Sequence, residues 1–441
     1  MSEVRNMGKN IDVGIGLSSQ ADAYKAGAEA ASKSLASLKG KTPILSYVFF
    51  AGDYDPNTLS AGLKAILNKS EFVGGSADAV YCDETMLRKG VLVVSIHSDY
   101  LHVGVASMDN ISKDPYTAAR KTITDALNKL SIDKYVDPYL LFTRMKKANV
   151  KWLVKLPSFF VTVFTRGMKL PQMADETKIL RGITDEIGFN VPIWGGSFGT
   201  ALEKLFEGKP YEIYLLHSGK VLKDGMILIF NTCSLVYGQS LSHGAKRTEH
   251  FGYISGVAGN GYVITSISQK NPIDWYCDNL KLSKEEFKKN PMVITQKYPL
   301  GIPDSYGGFT IRAGGVPTPD ETSLAFTAPF IEGWPIYLMD SSPSNFSKAP
   351  EQVAKDIRNT NMQQKPSVVL GALCASRRVV LGDSGMLDEL KQLKKEFKGT
   401  PVTGFSCFTE IGARVGAPPS VQHEAVNILT LYDMLLHEIK E

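Results

Sequence analysis

The chain of 441 residues is 43% hydrophobic and 21% charged, a composition that excludes a disordered polypeptide and leaves room for roughly two to four domains. Its 49 Lys and Arg against 45 Asp and Glu give a net charge of +4, too small and too dispersed for a nucleic-acid footprint. Five cysteines with no CxxC pair exclude a disulfide framework and a zinc finger, and the longest apolar runs fall short of the ~20 residues that a membrane helix needs.

The first residues, MSEVRNMGKN, carry no apolar signal core, so the cytoplasm is the expected compartment. A helix is predicted over 19–38, then a strand, PILSYVFF, from Pro43. Leu59, Leu63, Ile66 and Leu67 recur at helical spacing, and Asp55 before Pro56 marks the start of that helix. A short strand, FVGGSAD, ends the unit, and VLVVSIHSDYLHVGVAS after it reads as a hairpin.

The same order then returns twice. A helix over 114–130 precedes PSFFVTVF from Pro157, an amphipathic helix opened by Asp175, and PIWGGSFG; MILIFNTCSLVYGQS reads as a second hairpin. In the third copy, a helix over 350–359 precedes PSVVLGAL from Pro366, a helix opened by Asp383 or Ser384, and PVTGFSCFTEIG. Three helix-strand-helix-strand units predict an α/β fold of mixed sheets flanked by helices. Residues 242–270 are rich in Gly and Ser, and 271–348 differ in texture, with the strand-like runs GGFTIRAGG, SLAFTAP and WPIYLMD. The expected organisation is an N-terminal domain over 1–255, holding units at 10–108 and 111–241, and a ligand-binding candidate domain over 256–441.

Two GGS runs end strands: Gly74, Gly75 and Ser76, then Gly195, Gly196 and Ser197. Successive backbone N–H groups at such ends form nests for a carboxylate or phosphate, and glycine equally serves tight turns and close strand packing. No P-loop or strand-linked GxGxxG is present, so those modes of nucleotide binding are not expected. In the third unit, Cys374, Arg377 and Arg378 follow one strand, Glu410 follows another, and His423 opens a β run. Arg377 clamping a carboxylate and Glu410 receiving an ammonium would suit a zwitterion; a structural Arg–Glu pair with a capping histidine is the alternative. Cys374 with His423 as nucleophile and base, or Glu410 as acid and base, is the enzymatic alternative. Cys374, Cys407 and His423 lack short-range metal-ligand spacing, and neither a metal nor a cofactor is expected. His97, His102, His217, His243, His250 and His437 read as ordinary surface or strand-end residues.

At these residues the sequence resembles the FIST family. The N-terminal half resembles its amino-terminal domain through AYKAGAEAASKSL, PILSYVFFAGDYDPNTLSAGL, FVGGSAD and KGVLVVSI. The C-terminal half resembles its C-domain through IRAGG, ALCASRR with Cys374 and Arg377, GFSCFTEIG with Phe405 and Glu410, and His423. Thr409 stands where the family has a glycine before the motif glutamate, and Glu424 where an asparagine often follows the histidine. The resemblance implies a sensory protein that binds a small polar ligand, such as an amino acid, without covalent chemistry. Its ligand residues would be Cys374, Arg377, Phe405, Thr409, Glu410 and His423, with Gly75, Ser76, Gly195, Gly196 and Ser197 as N-terminal candidates. With no kinase, methyl-accepting or cyclase segment in the chain, output would pass through a partner protein; no nucleic acid and no membrane span are expected.

Overall fold

In each of the three units the two strands joined through a helix pair in parallel, and each pair lies inside a six-stranded mixed sheet. The computed structural model describes residues 9–130, 158–167, 175–360 and 364–436; Pro157 and His437 lie outside them. The first unit runs β1 (Asp12–Ser18), α1 (Ala23–Ser37), β2 (Leu45–Ala51), α2 (Pro56–Ile66), β3 (Glu71–Ala77), β4 (Val80–Cys82), β5 (Thr85–Leu87) and β6 (Gly90–His97). The second runs β7 (Leu101–Asp109), α3 (Pro115–Asn128), β8 (Ser158–Arg166), α4 (Glu176–Ile187), β9 (Ile193–Phe198), β10 (Leu215–His217), β11 (Lys220–Leu222) and β12 (Gly225–Cys233). The third runs β13 (Leu235–Ser242), α5 (Ala349–Thr360), β14 (Val368–Cys374), α6 (Ala375–Glu396), β15 (Val402–Cys407), β16 (Thr409–Gly412), β17 (Ser420–Gln422) and β18 (Val426–Leu435).

The three sheets share one strand order, and each takes its last two strands from another unit. The orders are β1-β6-β2-β3-β10-β11, β7-β12-β8-β9-β16-β17 and β13-β18-β14-β15-β4-β5. The hairpin of unit one thus completes the sheet of unit three, that of unit two the sheet of unit one, and that of unit three the sheet of unit two. This cyclic exchange overturns the two expected hairpins. β6 pairs with β1 and β2 while β7 pairs with β12, and β12 and β13 likewise belong to different sheets. The short links after β6 and β12 carry the chain from one sheet to the next. Two consecutive apolar strands with a tight connection look alike in sequence whether they pair with each other or with separate partners.

Strand alternation sets the layers. In β2, Leu45, Tyr47, Phe49 and Ala51 face a core common to the three sheets, whereas Val48 and Phe50 face α1 and α2. The common core is aromatic at its centre, with Tyr47, Phe49, Phe164, Trp194, Phe198 and Phe405 in mutual ring contact. The helix pairs cover the outer faces. Asp22, Asp55, Asp114 and Asp175 each cap a helix by accepting from the backbone N–H three residues on. The third unit adds one feature: α6 begins early, at Ala375, and is broken at Gly382 (φ 71°, ψ 175°), after which the helix restarts at the expected Asp383 and Ser384.

Between β13 and α5 the third unit carries an insertion. A seven-stranded sheet, with strands at Lys246–Ala258, Val263–Ile267, Leu300–Pro303, Phe309–Arg312, Val316–Pro317, Leu324–Ala325 and Pro335–Asp340, packs with the helix Pro272–Leu280 around a core of its own that includes Trp275, Tyr276, Phe287 and Phe326.

Candidate functional site

The residues singled out in the sequence divide into three groups. Phe405 belongs to the aromatic centre, stacked on Phe49 with centroids 4.4 Å apart. The glycines are explained by packing. A Cβ on Gly195 would lie 1.9 Å from the Val163 carbonyl oxygen, and one on Gly75 would lie 2.4 Å from the Phe198 ring. Ser76 Oγ donates to the Gly199 carbonyl (2.8 Å) and accepts from the Tyr214 N–H (3.0 Å), which ties the first unit to the second. Ser76 also borders an open crevice of about 370 Å³ at the C-terminal ends of β2 and β3, where α/β folds commonly place ligands.

Arg377 is fully buried in the first turn of α6, and all five of its donors are used internally. Nε (3.0 Å) and Nη2 grip the Glu389 carboxylate, and the remaining bonds go to the carbonyls of Phe346, His243 and Glu424. The guanidinium also covers the Phe346 ring at 4.1 Å. No donor is left to clamp a ligand carboxylate. Such a buried, bidentate pair fixes the kinked α6 against β18 and the insertion.

The third group meets at the ends of β14, β15 and β18. Cys374 and Cys407 are register partners on adjacent parallel strands, and burial pushes both thiols well above their ordinary range. Glu410 Oε1 lies 3.0 Å from Cys407 Sγ, and Oε2 accepts from the Ala425 N–H at 2.9 Å. Burial raises this carboxyl to about 8, so at neutral pH it is protonated. It supplies no anion for an ammonium while that burial holds. His423 turns away from Cys374: Nδ1 accepts from the Ala313 N–H (3.1 Å) and Nε2 lies 3.3 Å from Thr327 Oγ1. Burial and the Arg312 charge push the ring down to about 3. A thiol held protonated, with its histidine engaged elsewhere, does not form a nucleophile and base pair.

His423 marks a polar seam between the insertion and the three-unit body. Glu424 follows it with a left-handed backbone, φ 62°. Ser341 Oγ donates to Glu424 Oε2 at 2.6 Å, yet Oε1 has no partner. Burial raises Glu424 to about 8. From the insertion side, the Tyr276 hydroxyl and Gln296 Oε1 are also buried without partners, and Gln296 Nε2 lies 3.4 Å from Ser376 Oγ beside Arg377. Buried polar atoms without hydrogen bonds are rare and cluster at functional places. The only sequence signal for this seam lay in the IRAGG run and in the unusual Glu424.

Among the described residues no group of three His, Cys, Asp or Glu side chains is placed to hold a metal ion, and no helix is long and apolar enough to cross a membrane.

A model of the FIST N domain matches residues 45–270, and a model of the FIST C domain matches residues 272–413. The chain belongs to the FIST family. FIST domains are generally considered small-ligand sensory domains of signalling proteins. No curated protein matches the chain. Among solved structures, it is similar to one described as a cyanuric acid hydrolase arising by structural concatenation, at 9% identity over 96% of this chain and 99% of that one, with a TM-score of 0.35. It is also similar to PurLQS of Thermotoga maritima, at 9% identity over 83% and 76% of the two chains and a TM-score of 0.21.

Proposed function

We propose that this FIST protein is a cytoplasmic sensor that binds a small polar ligand, such as an amino acid or a related carboxylate, and signals through a partner protein. The observation that carries this reading is the set of buried, unpartnered oxygens on Tyr276, Gln296 and Glu424 where the insertion meets the third unit. Amide and carboxylate oxygens are acceptors, so they suit the donor-rich ammonium end of such a ligand. An arriving cation would favour ionisation of Glu424, turning a desolvated acid into a charge-assisted partner. A ligand seated between two separately cored bodies favours their closed arrangement, and that shift is what a partner reads.

Native mass spectrometry of freshly purified protein, followed by thermal-shift titration with amino acids, simple amines and carboxylates, tests the reading. We expect a retained small molecule, or a saturable rise in Tm with amine-bearing carboxylates whose affinity falls about tenfold or more in Glu424→Gln, the loss of one charge-assisted bond. No retained mass together with no response to the panel, or an equal response in the variant, would overturn it.

A further inference from the structure

The crevice bordered by Ser76 is not explained by the seam at Glu424, and the chain spends residues to build it. Each unit sends its hairpin into another sheet, and two of the three crossings are short. Asp78 and Ala79 join β3 to β4, and Phe408 alone joins β15 to β16. The third crossing, from β9 to β10, takes the sixteen residues 199–214 and contains the short helix Leu202–Phe206. Connections in compact domains run about 4–6 residues, and long ordered ones usually serve a site. This one lines the crevice through Lys204, Tyr211, Glu212 and Tyr214. Residues 52–55, the loop between β2 and α2, line it too; in the third unit α6 follows β14 without such a loop.

The crossing is held in place along its length. The Leu202 N–H donates to Asp78 at 2.9 Å, Glu203 pairs with Arg88 and Arg378, and Lys204 pairs with Asp53 of the β2–α2 loop. Its far end is fixed by the two hydrogen bonds between Ser76 and Tyr214. Walls held in this way have little ordering left to lose when a ligand arrives.

The lining is acidic and aromatic. It carries the carboxylates of Asp53, Asp55 and Glu212 against the single ammonium of Lys204. Three phenol rings, those of Tyr54, Tyr211 and Tyr214, complete it. Burial, and then the charges of Glu212 and Asp55, hold the Tyr214 hydroxyl above its ordinary range, so both acids lie about this ring. Two of the rings already draw ammonium groups from outside the crevice: Lys89 Nζ and Lys223 Nζ each lie 5.7 Å from a centroid, of Tyr54 and Tyr214 respectively. An anion is disfavoured although α2 begins here, because Asp55 caps that helix by accepting from the Thr58 N–H at 2.7 Å and so occupies its positive end. A metal ion does not suit the acids either, since among the described residues no three His, Cys, Asp or Glu side chains are placed to hold one.

We infer that this crevice is a binding site for a small alkylammonium ion, its charge facing Glu212 and Asp55 and its hydrocarbon part lying against Tyr211 and Tyr214. The volume of about 370 Å³ is that of a small-molecule pocket. Excess carboxylate sets the sign of the ligand, and aromatic faces favour an organic cation over a hydrated inorganic one. The site shares no residue with Tyr276, Gln296 and Glu424, so it stands or falls independently of the proposed sensor seam.

Calorimetric titration with n-butylammonium chloride at constant ionic strength, with n-butanol and potassium chloride as comparisons, is the direct probe. We expect saturable binding of butylammonium, retained in Glu424→Gln, with the ligand's alkyl proton resonances moved upfield by the rings. Butanol lacks the charge and potassium lacks the alkyl chain, so neither should saturate. Glu212→Gln should weaken butylammonium about tenfold and Tyr214→Leu severalfold, whereas Tyr214→Phe, which keeps the ring, should bind like the parent. Lys204→Met should tighten binding severalfold by releasing Asp53, a gain that a purely structural role would not produce. Should Tyr214→Leu fail to fold, Glu212→Gln and Lys204→Met decide. No saturable binding to the parent, equal binding of potassium or butanol, a Glu212→Gln protein that binds like the parent, or a Lys204→Met protein that binds more weakly would overturn the inference. So would a response lost in Glu424→Gln, which would put the amine at the seam and leave the sensor reading standing.

Discussion

Three glutamates, Glu176, Glu410 and Glu424, are buried deeply enough to sit near 8 in the folded protein. Their unfolded values lie near 4.3. The folded state therefore binds more protons than the unfolded chain across the interval between, and stability must fall as pH rises through it. The contribution is complete below about pH 4 and is lost as pH climbs through about 8. Glu203, held down to about 2 by its hydrogen bonds from Arg88 and Arg378 against an opposing cost of burial, acts in the opposite sense, its contribution disappearing only in strong acid. Urea unfolding between pH 5 and pH 9 should show a declining free energy, and Glu424→Gln should remove one proton's share of the slope, about 1.4 kcal/mol per pH unit. A flat profile in the parent would mean that these carboxyls are solvated. Position 424 also has a backbone reason to be unusual, since a left-handed φ suits asparagine far better than glutamate. Keeping an acid there costs the fold twice, once in strain and once in burial, which is why this residue rather than Arg377 anchors the proposed seam.

At the scale of elements, the parallel strand pairs owe their close approach to glycine at a repeated place. Gly74, Gly195 and Gly404 are each the register partner of a residue on the neighbouring strand whose carbonyl oxygen would lie within 1.9 Å of an added Cβ. Gly195→Ala should cost about 3 kcal/mol through that clash. Gly399→Ala, where φ is 76° but nothing lies within 4 Å, should cost only about 1 kcal/mol; similar losses at the two positions in denaturant melts would refute the packing explanation. The helices and strands of the three units were legible because period and capping act locally: Leu59 and Leu63, or Asp175 before Glu176, announce themselves within one turn. Strand partners were not legible, because β6 and β7 look the same from sequence whether they pair with each other or with distant strands. The role of Arg377 was hidden for a related reason. Its carboxylate partner, Glu389, lies on the same helix beyond the kink at Gly382, and sequence alone does not reveal that both side chains turn inward.

Across the whole molecule, no unit owns a complete sheet. Hairpin exchange and the shared aromatic centre couple the three, and an ion-pair network centred on the buried Asp78 adds to this: Arg378 of the third unit grips Asp78 of the first at 2.8 and 2.9 Å and reaches the half-exposed Glu203 of the second at 3.1 Å. Calorimetry should therefore find the three units melting in one transition, with van't Hoff and calorimetric enthalpies in agreement for that transition. Separate melting of the N-terminal and C-terminal units would contradict the coupling. The insertion has its own core and is anchored to the third sheet at both ends, by β13 and α5, so a ligand at its seam pulls on a sheet that also contains β4 and β5.

That last arrangement has a consequence for synthesis. β4 pairs with β15, residues 80–82 with 403–405, so the first hairpin to leave the ribosome waits for nearly the last strand. At about 5–20 residues per second the delay is on the order of tens of seconds. Through that time β4 and β5 have no seat, and the first sheet must likewise wait for β10 and β11. The nascent chain thus spends most of its translation with unclaimed strand edges, the state in which chaperones engage their clients.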